Sequence, residues 1–390
     1  MNGRIRVGFT GYYGMCNFGD DLFGVLCSAS ARRYWNADPL LIGPALHGAE
    51  ARATWPASLP SRWYGATGTV GKAARLLGFT RGLRESDVLV MGGGSVITAR
   101  ESFRKPMMLS ARRRGRVQLA AVGVSVGPFP DPAAEASAAE FVRQFSYLSV
   151  RDRRSYELAL RMGLEPILHE GRDLAGLLNT LVPLHEPPRS RMNLRAWRVG
   201  LAPCQYSVRD DHPAPTPEQW HEAAVEGLKR IAAHVPVQVA VFSLNGHAHH
   251  GDEALAVDLQ HRLRDAGLQA EVRRYRGDPI ATVHAIRGCD AFISARLHGA
   301  IVSYLCGVPF AMVDYHPKCR DFADDIGLPE VLRINGAAHD ATAFTRVLEM
   351  FMNESGAHAR LSPDVYALEA QDIFQCAPWS TSHRSASQAA

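Results

Sequence analysis

The stretch Cys289–Lys318, CDAFISARLHGAIVSYLCGVPFAMVDYHPK, holds the plan of the chain in miniature. A short apolar run, DAFIS (290–294), leads through ARLH into GAIVSYLCG, a helical pattern stopped by Gly307 with Pro309 just beyond. A second apolar run, PFAMV (309–313), repeats the strand signal. A strand–helix–strand unit of these lengths implies parallel strands in one α/β sheet. Ala295, Arg296, Leu297 and His298 then occupy the turn from strand to helix. There the first helical N–H groups lack partners and the dipole favours an anion. Arg296 adds a fixed charge, and His298 can donate a hydrogen bond or move a proton near neutral pH. Lys318, one of four lysines in the chain, follows the next strand. Parallel strands lie ~4.8 Å apart, so Lys318 is expected beside the Arg296/His298 turn. Three potential cations at one sheet edge call for a multiply anionic ligand. The competing explanation makes Arg296 a helix cap and His298 a satisfied interior imidazole.

Outward from this unit the same alternation continues. RIRVGFT (4–10), DVLVM (87–91), VQLAAVGV (117–124), YLSV (147–150) and PILH (166–169) read as buried parallel strands. Helices are predicted between them at about 20–34, 103–114, 133–145 and 153–162. A second series starts at WRVGLAP (197–203) and runs through VQVAVFSL (237–244), AEVRRY (270–275), DAFIS and PFAMV. Its helices fall near 217–233, 252–266, 279–287, 298–306 and 318–326. LVPLHEPPRSRMNLRAW (181–197), rich in proline and arginine, separates the two series. The reading is an α/β protein of two Rossmann-like domains with parallel sheets facing across a cleft, over 1–180 and 198–378. Residues 181–197 are the linker and 379–390 a disordered tail.

Composition narrows the function. With 390 residues, 46% hydrophobic and 21% charged, the chain suits two soluble domains. A net charge of +4 gives no reason to expect nucleic acid. Seven cysteines without a C-x-x-C pair read as reduced thiols. MNGRIRVGFTGYYG enters a strand at once without a secretory apolar core, and no apolar run reaches the ~20 residues of a membrane span. The expected location is the cytoplasm, with at most peripheral contact at the inner face of the cytoplasmic membrane.

The amino-terminal half offers its own loops. GYYGMCNFGDD (11–21) joins glycines to Asn17, Asp20 and Asp21, and departs from the dinucleotide fingerprint G-x-G-x-x-G. VMGGGSVI (90–97), with Gly92, Gly93 and Gly94, and GVSVGPF (123–129) read as further glycine-rich loops after strands. One of Asp20 and Asp21 is expected to be a helix cap. LSVRDRRS (148–155) places Arg151 at a strand–helix junction, either as an anion contact or paired with Asp152 or another carboxylate. NGHAHHGDE (245–253) carries His247, His249 and His250, a poor zinc spacing and better suited to a polar substrate-lining loop. No metal is expected. Trp55, Trp63 and Tyr64, in loops over 43–85, read either as sugar-stacking groups or as packing.

Taken in order, these motifs resemble the polysaccharide pyruvyl transferase family. The likeness rests on GYYGMCNFGD, Gly92–Gly94, SVRDRRS (149–155), RLHG (296–299), GVPF (307–310) and YHPK (315–318). The resemblance implies a GT-B-like fold and transfer of a pyruvyl group from phosphoenolpyruvate to a sugar of a cell-surface polysaccharide or its lipid-linked precursor. The product would be a pyruvate ketal, with phosphate released and no cofactor required. It also implies that Arg151, from the amino-terminal half, and Arg296, Leu297 and Lys318, from the carboxy-terminal half, hold the donor, with His298 as acid/base. Asp20 would orient or deprotonate the acceptor hydroxyl, while Asn17, Asp21 and Gly92–Gly94, from the glycine-rich stretches above, are expected to line the substrate cleft. The sequence departs from the family pattern at Asp21, at Val124-Ser125, at Leu174 and at His316. The rival reading is a GT-B glycosyltransferase with a nucleotide-sugar donor.

Overall fold

The computed structural model describes residues 4–100, 102–182, 196–206, 215–247, 251–335, 341–353 and 357–381. The chain divides into two compact units. Unit 1 holds Met1–Met15, Gly19–Val182 and Tyr366–Ala390; unit 2 holds Cys16–Phe18 and Pro183–Val365.

Unit 1 is built on a seven-stranded parallel sheet. Its strands are β1 (Arg6–Thr10), β2 (Asp38–Leu41), β3 (Arg52–Ala53), β4 (Val88–Ile97), β5 (Gln118–Val126), β6 (Tyr147–Val150) and β7 (Leu168–Glu170). They lie in the order β3-β2-β1-β4-β5-β6-β7. Unit 2 has a six-stranded parallel sheet. It comprises β8 (Trp197–Ala202), β9 (Val237–Ser243), β10 (Gln269–Arg274), β11 (Ala291–Ser294), β12 (Phe310–Val313) and β13 (Arg333–Ile334), ordered β10-β9-β8-β11-β12-β13. Both orders reverse once, at β1/β4 and at β8/β11. In open parallel sheets a ligand crevice forms there, beyond the carboxyl ends of the strands.

The strands form because continuous apolar runs can be buried on both faces. β11 and β12 are fully buried, as are β6 and all but the first residue of β5. The intervening helices start on sequence-encoded caps. Asp152 accepts from Ser155 N at 2.7 Å to open Arg153–Arg161, and Thr216 with Gln219 forms a capping box before Pro217–Ala232.

Four features depart from the sequence reading. The glycine-rich stretch 90–97 is not a loop, because β4 continues through it, and 123–126 is the end of β5, so that only 127–129 of the second stretch leave the strand. Gly92 pairs with Val122 and Gly94 with Val124, and the register slips only between Gly94 and Ile97. Gly93 takes φ +74°, and a Cβ there would collide with the Phe23 ring. Residues 43–85 are likewise not all loop: Gly68–Glu85 is a helix whose buried face is Gly71, Ala74, Gly78, Phe79 and Gly82. Within that region Trp55 and Tyr64 are buried, with ring centroids 5.7 Å apart, while Trp63 is exposed.

The third departure concerns the domain boundary at 378. From Tyr366 the helix Pro363–Gln375 belongs to unit 1. Its Phe374 ring lies 4.8 Å from Trp35, whose Nε1 donates to Phe374 O at 2.7 Å. Tyr147 Oη donates to Ile373 O at 2.8 Å. The fourth concerns the tail. Trp379 and Ser380 are buried, and Trp379 Nε1 donates to Gln118 Oε1 at 2.9 Å, so order extends beyond 379. Residues 382–390, most of the 181–197 linker, and His249 and His250 lie outside the described residues.

Candidate active site

In unit 2 the opening stretch folds as its pattern predicts. β11 ends at Ser294, the helix Leu297–Leu305 follows, and Arg296 is its N-cap. Ser294 Oγ donates to Arg296 O at 2.6 Å and accepts from Arg296 N at 3.1 Å, tightening the turn. Gly299 is required by this arrangement, since a Cβ there would strike Ser294 Oγ. Ala295 N donates to Ala202 O at 2.9 Å, so the turn sits beyond β8 and β11 at the reversal point of the sheet. Arg296 and His298 are both partly buried there.

Arg296 has a partner that sequence reading missed. Its Nε donates to Asp252 Oδ2 at 2.9 Å, and its Nη2 donates to Asp252 Oδ1. The Asp252 side chain is 0% exposed, against 23% for Arg296. Burial works against charge on the guanidinium, and the Asp252 hydrogen bonds overcome it, holding the pKa of Arg296 above its ordinary value. Asp252 in turn is fixed by Asn245, whose N–H donates to Oδ2 at 3.0 Å. The forked pair thus ties the 245–253 loop to the Arg296 turn. The same loop edge takes in Asn17, which forms an antiparallel bridge with Asn245, while Gly246 N donates to Cys16 O at 2.8 Å.

Lys318 lies one residue into the helix Pro317–Asp325, where the N-cap His316 accepts from Lys318 N at 3.3 Å. Behind these groups Cys204 Sγ donates to Ala295 O at 3.3 Å, and Tyr206 and Tyr315 stack at 4.2 Å. Burial pushes the Cys204 thiol pKa up, and the charges of Arg296 and Lys318 pull it the other way. Arg296 and Lys318 stand at the starts of the helices that follow β11 and β12, two strands that are neighbours in the sheet. Leu297 is buried as the first residue of the helix.

In unit 1 a pocket of about 380 Å³ opens beyond β1 and β4, again at the reversal point. Asp20, Gly93 and Gly94 line it. Asp20 Oδ1 lies 3.8 Å from where a Gly94 Cβ would sit, an ordinary contact, and the φ of +82° is what calls for glycine there. Asp21 is not part of this pocket. It is buried, and its Oδ1 accepts from Gly14 N at 2.6 Å, which closes the loop after β1. Gly92 also packs inward, its carbonyl accepting from Tyr13 Oη at 2.6 Å.

Arg151 has three fixed bonds within unit 1. It donates from Nε to Ser125 Oγ at 2.7 Å, from Nη1 to Asp173 Oδ2 at 3.0 Å and from Nη2 to Ser95 Oγ at 3.3 Å. Its side chain is 6% exposed, so a buried ion pair with Asp173, not Asp152, is its main electrostatic partner. Among the described residues, no group of three or more His, Cys, Asp or Glu is arranged to hold a metal ion. Nor is any helix there long and apolar enough to cross a membrane.

Comparison with known proteins agrees with this architecture. The family model described as polysaccharide pyruvyl transferase matches residues 17–317. No curated protein matches the chain in sequence. Among solved structures, the UDP-N-acetylglucosamine 2-epimerase of Rickettsia bellii is similar with a TM-score of 0.57 at 10% identity, covering 96% of this chain and 95% of that one. The UDP-GlcNAc 2-epimerase of Methanocaldococcus jannaschii gives 0.56 at 11%, covering 95% and 98%. Sucrose-phosphate synthase of Thermosynechococcus elongatus gives 0.52 at 11%, covering 99% of each chain. At these identities the likeness shows the GT-B fold alone.

Proposed function

Because the chain belongs to the polysaccharide pyruvyl transferase family, we propose that it transfers the pyruvyl group of phosphoenolpyruvate to a saccharide hydroxyl and closes a pyruvate ketal. The observation that carries this reading is the Arg296 fork, held by buried Asp252 on the same strand–helix turn as His298. Phosphoenolpyruvate brings a carboxylate and a phosphate, and the Arg296 N–H groups that Asp252 leaves over, beside a helix N-terminus, suit either.

In the proposed sequence His298 protonates the methylene carbon, and positive character develops at the adjacent carbon bearing carboxylate and phosphate. A sugar hydroxyl attacks that carbon and loses its proton, with Asp20 as the proposed orienting or accepting group. The carbon–oxygen bond to phosphate breaks, and Arg296 and Lys318 stabilise the departing charge. A second hydroxyl of the same sugar closes the ring, its proton leaving with phosphate. The proton lost by the first hydroxyl returns through solvent to replace the one His298 gave to the new methyl group, and that of the second leaves on phosphate, so the reaction balances without redox change. Arg151 remains a proposed donor contact, acting through the N–H groups its three bonds leave over. The acceptor is proposed to be a sugar residue of a cell-surface polysaccharide or of its lipid-linked precursor. The donor is a cytoplasmic metabolite, so the reaction is assigned to the cytoplasm.

The test is phosphate release from phosphoenolpyruvate, with and without a pooled extract of lipid-linked oligosaccharides. Wild type should release phosphate only with acceptor, and Arg296→Ala and His298→Ala should each lose at least 100-fold in rate. No release, together with thermal protection by a nucleotide sugar but not by phosphoenolpyruvate, would overturn the donor assignment.

A further inference from the structure

The unit 1 pocket contains a cation that the proposed mechanism does not use. Arg104 begins the helix Arg104–Arg113 and lines the pocket with Thr10, Ser95 and Thr98. Its side chain makes one long hydrogen bond, from Nη1 to Thr10 Oγ1 at 3.4 Å. Its guanidinium carbon lies 5.6 Å from the Phe79 ring centroid and 5.9 Å from that of Phe103, two rings set at 88° to each other. Among the described residues no carboxylate is ion-paired with it, whereas Arg296 and Arg151 each have one.

This environment is poor for an unanswered charge. An arginine has five N–H donors, and aromatic faces satisfy none of them in the guanidinium plane. Burial, foremost, and the like charge of Arg75 pull the Arg104 pKa down from its ordinary value, against nearby Tyr64 and Tyr13. Among the described residues that line the pocket, Arg100 and Lys105 are further cations and Asp20 is the one acid. The described lining is therefore net positive, and with two rings and one long hydrogen bond around it the Arg104 guanidinium keeps N–H groups for a ligand.

We propose that this pocket binds the saccharide acceptor through an anionic group, a carboxylate or a phosphate ester, gripped by the Arg104 fork. The assignment rests on the pyruvyl-transfer reading for the acceptor being a saccharide. Asp20, in the same pocket, then meets a hydroxyl of the sugar whose anion Arg104 holds. An acidic acceptor is favoured over a neutral one because only an anion answers the charge that burial leaves on Arg104.

Ligand-observed NMR titration of the full chain with glucose, glucuronate and glucose 1-phosphate tests this, with phosphoenolpyruvate titrated into the same samples. At least one charged sugar should bind tenfold or more tightly than glucose, and Arg104→Gln should abolish that preference while phosphoenolpyruvate affinity stays within twofold. Whether glucuronate or glucose 1-phosphate binds more tightly distinguishes the carboxylate from the phosphate source. Equal affinity for all three sugars, or a preference surviving in Arg104→Gln, overturns the proposal. Loss of phosphoenolpyruvate binding in Arg104→Gln also overturns it, by moving the pocket to the donor. If wild type prefers charged sugars but never binds phosphoenolpyruvate, the donor reading fails and the anion pocket stands. Should Arg104→Gln not fold, Arg104→Lys keeps the charge without the fork. A fivefold or greater weakening is then expected, and unchanged affinity counts against the idea.

Discussion

Asp252 shows how one residue, invisible as a site residue in sequence, can govern the chemistry of another. It stands 44 positions from Arg296, so no spacing rule joins them, and only the parallel sheet brings both loops to one edge. The Arg296 turn itself is legible, because a strand–helix junction in an α/β unit has a fixed address. Asp252→Asn should leave the guanidinium without its anionic partner. Removing one member of a buried pair costs about 3–5 kcal/mol, and turnover should fall at least tenfold with it. Urea unfolding and phosphate release on the same variant check both effects. Unchanged stability would mean that the fork does not hold the turn.

His221 makes a separate prediction at this scale. It is 2% exposed beside Trp220, and burial, reinforced by Arg262 and opposed by Asp258 and Glu218, pushes its pKa down to about 4. The folded state therefore binds its proton less readily than the unfolded chain, whose histidine titrates near ~6.5. This contribution leaves stability intact above that value and erodes it as pH falls toward 4, by up to about 3 kcal/mol. His221→Phe should flatten stability between pH 6.5 and 4, measured by denaturant midpoints at several pH values. An unchanged slope would assign the acid sensitivity elsewhere.

Among the elements, the ones legible in sequence are those whose signal is local. β1, β4, β5, β6, β8, β9, β11 and β12 are apolar runs, β7 and β10 fall within a residue or two of PILH and AEVRRY, and the helices between them have clear caps or periods. β2 was hidden by Pro39 within DPLL, and β3 and β13 are two residues each. The helix Gly68–Glu85 escaped for a subtler reason. Its glycines read as breakers, yet Gly71, Gly78 and Gly82 lie on the buried face, where side chains from other elements approach the backbone. A Cβ on Gly71 would run into the Ala66 carbonyl oxygen, and one on Gly82 into Ile42. On propensity alone Gly→Ala stabilises a helix by about 1 kcal/mol. Here overpacking should win, and Gly71→Ala should destabilise by about 1–3 kcal/mol. A raised melting temperature for Gly71→Ala would show instead that the Ala66 turn yields.

For the whole molecule, the order of the chain and the membership of its units differ. Sequence alternation locates the change from one α/β series to the next, but it carries no signal that Tyr366–Thr381 belongs to the first series. That signal lies in long-range contacts: Trp35 and Tyr147 donate to carbonyls of Phe374 and Ile373, and Asp173 N donates to Tyr366 Oη at 3.1 Å. Phe374 and Ile373 are 0% exposed, so both apolar burial and hydrogen bonds of unit 1 depend on this segment. Cutting the chain at the 181–197 linker should therefore not release an independent amino-terminal domain. Residues 1–182 alone would expose Trp35, a fully buried ring, and leave the Tyr147 hydroxyl without its carbonyl. The loss is comparable to several large-to-small core substitutions at about 3–5 kcal/mol each for an aromatic, against a total stability of about 5–15 kcal/mol for a typical domain. The fragment 1–182 is expected to lack a cooperative melt. Adding residues 357–381 as a peptide, or fusing them through a glycine–serine linker, should restore one. A cooperative melt of 1–182 without that segment would show that unit 1 is complete before the chain returns to it.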